Sequence, residues 1–220
     1  MRLYLFVKNA LDITKSEITK YQDEGRILVN NKHVNLTYNV LDTDIVTFDG
    51  IVLKKEPFVY YLYNKPKGIV CTNNKKVADS IKNNLDIKER VYPIGRLDKA
   101  SRGLLILTND ASFCNKVLSI HYEKEYIVEV RDKISEEFLA KMPKSIMLRG
   151  KPTLPCTVKR IDDYHLSIIL NEGKYHQVRR MVGINGNKVV DLKRVRIGKI
   201  NLGDLEEGKY ILNLDIPNII

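Results

Sequence analysis

Tryptophan is absent from this sequence of 220 residues, and cysteine and histidine are scarce, with three and four residues. Cys71, Cys114 and Cys156 are far apart and odd in number, so they form neither a CxxC metal motif nor a disulfide framework. The four histidines form no ligand cluster in the sequence either. These patterns predict a protein without a metal ion, whose thiols are buried and stay reduced.

Long apolar segments are also missing. No run of the sequence approaches the roughly 20 residues that a membrane span requires. The N-terminal segment MRLYLFVKNALD is interrupted by Lys8 and Asp12 too early to be a signal peptide. We therefore expect a cytoplasmic protein that does not associate with a membrane. Its hydrophobic content of 44% is enough to form a real core.

The charge of the chain is unbalanced, with 37 basic and 27 acidic residues and a formal net charge of +10. Such an excess favours polyanions, because lysine and arginine displace the counterions condensed on phosphates. Charge alone leaves an inert basic surface open as an alternative. Residues 1–55 carry a net charge of only +1, whereas residues 171–200 contain eight basic and two acidic residues. The second segment is a candidate RNA-facing strip.

The order of the predicted helices and strands favours an α+β fold. Apolar and alternating segments predict strands, the main ones being RILVN, DIVTFDG, VYYLYNKPKGIV, LLILTND, EYIVEV, HLSIILNE and KVVDLKRVRIGKINL. Helices are predicted at residues 15–24, 77–85, 111–119, 135–143 and 174–183. Strands outnumber helices without regular alternation, which is typical of a mostly antiparallel sheet. The segment KKEP at 54–57 is a candidate linker, giving domains at 1–55 and 56–220.

The segment YPIGRLDKASRGLLILTND, residues 92–110, has the composition of a catalytic loop. Gly95 and Gly103 bracket a loop that runs into a buried strand, and such loops commonly hold functional side chains. Asp98 lies in this loop among Arg96, Lys99 and Arg102. A carboxylate among cations should stay ionised and can act as a nucleophile or base, although a surface ion pair is the alternative.

This segment resembles the signature of the pseudouridine synthases, specifically those that act on small- and large-subunit ribosomal RNA. The resemblance implies that Asp98, the aspartate of GRLD, is the essential catalytic residue. YEKEYIVEV is similar to the motif whose tyrosine packs on the target base, which implies that role for Tyr126. NEGKYHQVRRM is similar to the motif whose arginine pairs with the catalytic aspartate, here Arg179. YNKPKG at 63–68 matches the first motif of the family.

The N-terminal residues resemble a different unit, the small α/β RNA-binding module named after ribosomal protein S-four. Arg2 with Leu3, Gly25, the pair at 29–30 and Val34 lie where the pattern of that module expects them. The usual Ser-Arg at its helix start is Thr-Lys here, and a lysine lacks the bidentate fork of arginine. A degenerate docking unit that binds RNA only weakly therefore stays open as the alternative.

The resemblance implies a reaction that detaches uracil at its glycosidic nitrogen, rotates it and rejoins it through a ring carbon. It implies no cofactor, no metal and a target nucleotide flipped from its stack. The sequence leaves open whether Asp98 attacks the sugar, attacks the ring or removes a sugar proton. His176 is interpreted as a hydrogen-bonding residue rather than a base. The residues expected to contact RNA are Arg2, Lys15, Arg26, Lys65, Lys67, Arg96, Lys124, Lys174, His176, Gln177, Arg180, Lys193, Arg194 and Arg196.

These observations predict an enzyme that isomerises one uridine of ribosomal RNA to pseudouridine. Its expected partner is ribosomal RNA or an early ribosomal-subunit assembly intermediate, and we expect a monomer. The short chain favours small-subunit RNA over large-subunit RNA slightly. Two alternatives are a non-catalytic RNA-binding or assembly protein and another RNA-modifying enzyme such as a methyltransferase. An aspartate in a basic loop argues against the first, and the lack of a glycine-rich strand-to-helix loop argues against the second.

Overall fold

The computed structural model describes residues 1–11, 13–55 and 57–220, and the contacts among them divide the chain into two compact units. The small unit comprises Met1–Phe58 and Lys88–Arg90, and the large unit comprises Val59–Ile87 and Val91–Ile220. Asp12, and Glu56 in the predicted linker, lie outside the described residues. The division falls close to the predicted boundary at 55/56, with three residues near position 89 joining the small unit.

The small unit contains two helices and a three-stranded antiparallel sheet. Its elements are α1 (Leu3–Leu11), α2 (Lys15–Asp23), β1 (Ile27–Val29), β2 (Val46–Phe48) and β3 (Ile51–Val52), with strand order β1-β2-β3. Leu3, Val7, Ile18 and Ile27 are fully buried and form its core. The sequence patterns did not predict α1, since its apolar residues were taken only as part of a module pattern.

Helix α2 confirms the prediction for residues 15–24, and it begins with a capping box. The Thr14 hydroxyl accepts a hydrogen bond from the Glu17 amide, and the Glu17 carboxylate accepts one from the Thr14 amide at 2.7 Å. These bonds satisfy amide groups that have no partner within the helix. The predicted Asn30-Asn31 turn also forms, with positive φ angles of 50° and 60°.

The large unit is built on a nine-stranded sheet. Its strands are β4 (Tyr60–Lys65), β5 (Tyr92–Pro93), β6 (Arg102–Thr108), β7 (Lys124–Val130), β10 (Thr157–Arg160), β11 (His165–Leu170), β12 (Val189–Ile197), β13 (Ile200–Asn201) and β14 (Tyr210–Leu212), while β8 (Met147–Leu148) and β9 (Lys151–Pro152) form a separate hairpin. The main order is β10-β11-β7-β12-β6-β4-β14, with β13 beside β12 and β5 beside β6. The pairing of β12 with β6 is parallel and the others are antiparallel. The predicted α+β class with a mostly antiparallel sheet is confirmed.

Strand β6 lies inside this sheet, between β12 and β4, and both of its faces are apolar. Leu104 and Ile106 pack with the cluster that includes Phe113, whereas Leu105 and Leu107 pack with the cluster on the opposite face. All four side chains of β6 in this stretch have zero exposure. A strand covered on both faces reads as a continuous apolar run, which is why LLIL predicted it correctly.

The large unit also contains five helices: α3 (Ile81–Asn84), α4 (Ala111–Ser119), α5 (Glu136–Lys141), α6 (Gln177–Ile184) and α7 (Ile216–Ile219). Helix α4 has the predicted bounds, and α5 begins after Ser135, whose hydroxyl accepts a hydrogen bond from Phe138 N at 3.1 Å. Helix α3 is a single turn, much shorter than the prediction for 77–85. Within the described residues, no helix is both long and apolar enough to cross a membrane.

Candidate active site

The loop that carries Asp98 is attached to the protein at several points. Gly68, in the KPKG turn and at φ 88°, donates its amide proton to Lys99 O at 2.8 Å. Leu97 N donates to the Cys71 Sγ at 3.3 Å, and burial raises the pKa of that thiol, which keeps it protonated. Within the loop, Ser101 N donates to Asp98 O at 3.0 Å. The Asp98 backbone is therefore fixed from both sides.

Arg179 supplies a further attachment, but not the one that the sequence resemblance implied. Its Nη2 donates to Ala100 O at 2.9 Å and to Ser101 Oγ at 3.2 Å, rather than to the Asp98 carboxylate. The expected Arg179–Asp98 ion pair is thus wrong for this structure. Arg179 holds the loop that contains Asp98, and it does so mainly through the backbone carbonyl of Ala100, two residues after Asp98.

The side chain that lies beside the Asp98 carboxylate is His176. The His176 Nε2 lies 3.4 Å from Asp98 Oδ1, and both side chains are about one-third exposed. His176 has a left-handed backbone conformation with φ 52°, and its ring stacks on Tyr175 at a centroid distance of 3.9 Å. This conformation explains why α6 begins at Gln177, three residues later than predicted. The sequence analysis predicted a hydrogen-bonding role for His176 and did not link this residue to Asp98.

Asp98 lies in the wall of a cavity of about 500 Å³, within the usual range for ligand sites. Tyr126 and His176 line the same cavity, as do apolar side chains such as Leu170 and Val178. Tyr126 projects from β7 and is 8% exposed. No described residue accepts or donates a hydrogen bond at its hydroxyl, so that group is available to a ligand. The cavity combines an apolar lining, an aromatic ring and a carboxylate.

A buried lysine, Lys65, begins the KPKG turn. Lys65 has zero exposure, and its Nζ donates to Pro66 O and Ile69 O, which closes the turn that holds the Asp98 loop. Burial lowers the pKa of Lys65 to about 8, while Cys71 and Asp98 act in the opposite direction. The prediction that Lys65 contacts RNA is wrong, because its ammonium group is enclosed by protein.

The candidate strip at 171–200 is not a continuous exposed surface. Arg194 is 3% exposed, and its Nε donates to Leu104 O at 2.8 Å. Arg196 is paired with Glu125 and Glu123 at 2.9 and 3.0 Å. Strand β12 has register irregularities between Arg194 and Arg196 that break the alternation of its side chains. Arg196 is therefore corrected from an exposed RNA contact to a residue engaged within the protein, and Arg194 is corrected from an exposed residue to a buried one.

Two other predicted contacts from the third motif are also engaged internally. Lys174 Nζ donates to Pro152 O and lies 3.1 Å from Glu172 Oε2. Gln177 is 4% exposed, and its side chain joins Lys174 N to Glu172. Both residues shape the segment before α6, which corrects their assignment as RNA contacts.

Some predicted contacts do keep a cationic group at the surface of the large unit. Arg96 is exposed beside Asp98, and Lys193 is half-buried. Lys67 is also exposed and forms an ion pair with Asp191 at 2.7 Å. The Arg180 guanidinium lies 5.3 Å from the Tyr175 ring centroid at the cavity rim.

In the small unit, Arg2 and Lys15 are exposed. Arg26 is instead engaged by Asp49, with Nε and Nη2 donating at 2.8 and 2.5 Å, and it packs over Tyr21 and Phe48. Its bidentate fork is occupied by Asp49, so a contact between Arg26 and RNA would have to compete with this exposed ion pair.

The described residues contain no group of three or more His, Cys, Asp or Glu side chains placed to hold a metal ion.

Comparison with known proteins identifies the same family that the sequence motifs around Asp98 resemble. The profile of the RNA pseudouridylate synthases matches residues 59–183. The chain is 34% identical to ribosomal small subunit pseudouridine synthase A of Haemophilus influenzae, over 96% of this chain and 94% of that protein. It is also 34% identical to ribosomal large subunit pseudouridine synthase B of Bacillus subtilis, over 94% and 89% of the two chains. A crystal structure of a pseudouridylate synthase matches with a TM-score of 0.69 and 32% identity, over 100% and 99% of the chains.

The chain belongs to the RNA pseudouridylate synthase family. This confirms the resemblance on which Asp98, Tyr126 and Arg179 were selected.

Proposed function

We propose that this protein converts a specific uridine of ribosomal RNA to pseudouridine, with Asp98 as its catalytic residue. The observation that carries the proposal is the shared cavity of Asp98, Tyr126 and His176 in a chain of this family. The relatives named for ribosomal subunits support ribosomal RNA as the substrate. The reaction is an isomerisation, so it consumes no second substrate and leaves the oxidation state of the nucleotide unchanged.

In this proposal the target uridine enters the cavity flipped from its stack, which costs a few kcal/mol. Stacking of the uracil on Tyr126 offsets part of that cost, since base–aromatic stacking is worth about 1–3 kcal/mol. Asp98 then acts on the enclosed nucleotide, and the uracil is detached, rotated and rejoined through a ring carbon. Arg179 and His176 are positioning residues, the first acting on the loop and the second on the carboxylate.

The direct test is to map pseudouridines by chemical probing in ribosomal RNA from cells with and without this gene. We expect one signal to disappear in the small-subunit RNA and to return when unmodified RNA is treated with the purified protein. The large subunit is the second candidate, because the Bacillus relative is equally similar. The proposed function would be contradicted if cells with and without the gene had identical pseudouridine maps in both the small-subunit and the large-subunit RNA.

The protein is proposed to act in the cytoplasm as a monomer, on free ribosomal RNA or an early assembly intermediate. We also propose that the small unit is an RNA-binding module like that of ribosomal protein S-four. Exposed Arg2 and Lys15 support this, whereas the net charge of +1 over residues 1–55 indicates a modest contribution to affinity.

Tyr126→Phe is expected to lower the single-turnover rate by about 10²–10⁴-fold, as loss of an acid or base group does. The hydroxyl has no hydrogen-bond partner among the described residues, which leaves it available for a proton during rearrangement. The ring that stacks on uracil is kept, so RNA affinity should not change. Tyr164→Phe, at an exposed tyrosine outside the cavity, is the matched control. A Tyr126→Phe enzyme within a few-fold of wild type would limit Tyr126 to stacking.

Arg179→Ala is expected to reduce the rate by about 10²-fold and to lower the melting temperature. Hydrogen bonds from a charged donor contribute about 1.5–3 kcal/mol, and this change leaves Ala100 O and Ser101 Oγ without theirs. The Asp98 loop then loses its attachment at Ala100 and Ser101, the residues that follow Asp98 in the chain. Arg131→Ala, at an exposed arginine paired with the adjacent Asp132, serves as the control. Wild-type turnover by the Arg179 variant would show that the loop is held without it.

His176→Phe is expected to reduce kcat about tenfold with KM unchanged, at the low end for a lost contact to a charged group. Phenylalanine preserves the stack on Tyr175 and removes the nitrogen that lies 3.4 Å from Asp98. His165→Phe removes a comparable histidine–aspartate contact, with Asp162, away from the cavity. If both variants have the same kcat, His176 does not orient Asp98.

A further inference from the structure

A second cavity, of about 290 Å³, adjoins the one that contains Asp98. The two share wall residues, namely Gly95, Arg96, Tyr126 and Gly173. Because Tyr126 lines both, the second cavity begins where the proposed uracil site ends. Its volume is near the lower limit of about 300 Å³ for ligand pockets and suits a single small group rather than a helical stem.

One wall of the second cavity carries positive charge with little to neutralise it. Lys124 is half-buried and donates to Tyr122 O at 2.8 Å, and burial, followed by the nearby Arg194, lowers its pKa. Arg194 also lines the cavity. Its Nη2 is buried and has no hydrogen-bond partner among the described residues.

Glu172, a carboxylate in the same wall, is already occupied. Its Oε1 accepts hydrogen bonds from Leu154 N and Gln177 Nε2, both at 2.8 Å, and its Oε2 lies 3.1 Å from Lys174 Nζ. An unpaired buried guanidinium donor is unfavourable unless a ligand supplies an acceptor. The charge of this wall therefore fits an anionic oxygen, as in a phosphodiester.

The second cavity also has apolar lining residues, two of which are exposed to solvent. Leu118 and Ile120, at the end of α4, are 55% and 42% exposed, although they lie beside buried Ile106 and Ile197. Exposed apolar side chains next to a cationic wall do not suit an inorganic anion alone. They suit a ligand that has a flat apolar face joined to a phosphate, which describes a nucleotide.

We propose that this second cavity binds the nucleotide that adjoins the target uridine in the RNA chain. Its phosphodiester lies against Lys124 and Arg194, and its base lies on Leu118 and Ile120. This inference rests on the proposed function, because the neighbour is defined by the uridine bound next to Tyr126. Holding the adjoining nucleotide would stabilise the flipped state and would read the sequence beside the target.

The test uses an RNA fragment that contains the mapped uridine, made intact or with an abasic nucleotide on its 5′ or its 3′ side. We expect the abasic site on one side to lower kcat/KM of wild type about tenfold, because the apolar area that one base buries on Leu118 and Ile120 is lost. The double variant Leu118→Ser/Ile120→Ser should lose a similar factor on intact RNA and lose nothing more on that abasic RNA. Ile161→Ser, at a residue 52% exposed and outside both cavities, should behave as wild type.

A separate experiment tests the proposed contact with the phosphate. A neutral methylphosphonate linkage beside the target should slow wild type about tenfold and should not slow Lys124→Gln further. If abasic sites on either side leave a wild-type enzyme that forms pseudouridine unaffected, the neighbour site is overturned while the proposed function stands. The proposal would also be overturned if the loss caused by the double variant and the loss caused by the abasic site multiplied when the two were combined. A third outcome would also overturn it. If inorganic phosphate competed with RNA for wild type but not for Lys124→Gln, and abasic sites had no effect, the cavity would be an anion site only.

Discussion

Asp98→Asn should abolish pseudouridine formation, with a loss of about 10⁴-fold or more, comparable to removing a nucleophile from other enzymes. Asparagine has nearly the shape of aspartate but is neutral and weakly nucleophilic, so the loop should keep its attachments to Gly68 and Arg179. The variant should bind RNA as well as wild type or slightly better, because one negative charge is removed from a polyanion site. Single-turnover assays and filter binding on the mapped RNA fragment measure the two quantities separately.

The control is Asp163→Asn, at an exposed aspartate paired with Lys133 and distant in the sequence from the loop. It should have wild-type rate and affinity. A sequence-verified Asp98→Asn protein that retained even roughly a hundredth of the activity, a barrier change of under about 3 kcal/mol, would show that another group carries the reaction. Loss of RNA binding in step with activity would instead indicate that Asp98 has a structural role.

Gly103→Ala is expected to destabilise the large unit severely. Gly103 has φ 106°, and an added Cβ would lie 2.2 Å from Arg194 O and 2.7 Å from Arg194 N, at the parallel pairing of β6 with β12. Those neighbours are backbone atoms of a central strand, so they cannot move without breaking the sheet. Overpacking usually costs about 1–3 kcal/mol, and the unfavourable φ adds to it. We expect a fall in melting temperature of about 10 °C or more.

Gly183→Ala is the matched control for this substitution. Gly183 lies in α6 at a negative φ, with nothing within 4 Å of an added Cβ. Alanine favours the helix by up to about 1 kcal/mol, so the melting temperature should stay the same or rise slightly. Calorimetry of the two alanine variants therefore compares the same added methyl group in a closed and an open position. Equal melting temperatures would mean that β6 and β12 are not held as closely as the structure shows.

The parts of the fold that the sequence predicted are those specified by nearby residues. The position of α2, the bounds of α4 and the buried strand β6 all follow from local patterns. The position of Asp98 in a loop before β6 was also predictable, since the glycines and apolar residues around it are adjacent in sequence.

The parts that failed depend on contacts between distant residues. Arg179 reaches a carbonyl 79 residues away, and Arg194 reaches one 90 residues away. Neither distance nor partner can be read from a run of charges, and the irregular register of β12 removed the alternation that would have marked Arg194 as internal. The contact of His176 with Asp98 depends on the left-handed backbone conformation of His176 itself, just before α6. The sequence pattern did not indicate that conformation at this position.

The attachments of the Asp98 loop also have a consequence for synthesis of the protein. They come from Gly68, Cys71 and Arg179, so the loop cannot be fully held until the chain beyond α6 has left the ribosome. Contacts between residues so far apart form late, because closing a long loop costs entropy before the contact repays it. The segment around Asp98 is therefore expected to become ordered only after α6 has formed and Arg179 has reached Ala100. During folding it should be among the last parts of the large unit to lose its exchange with solvent.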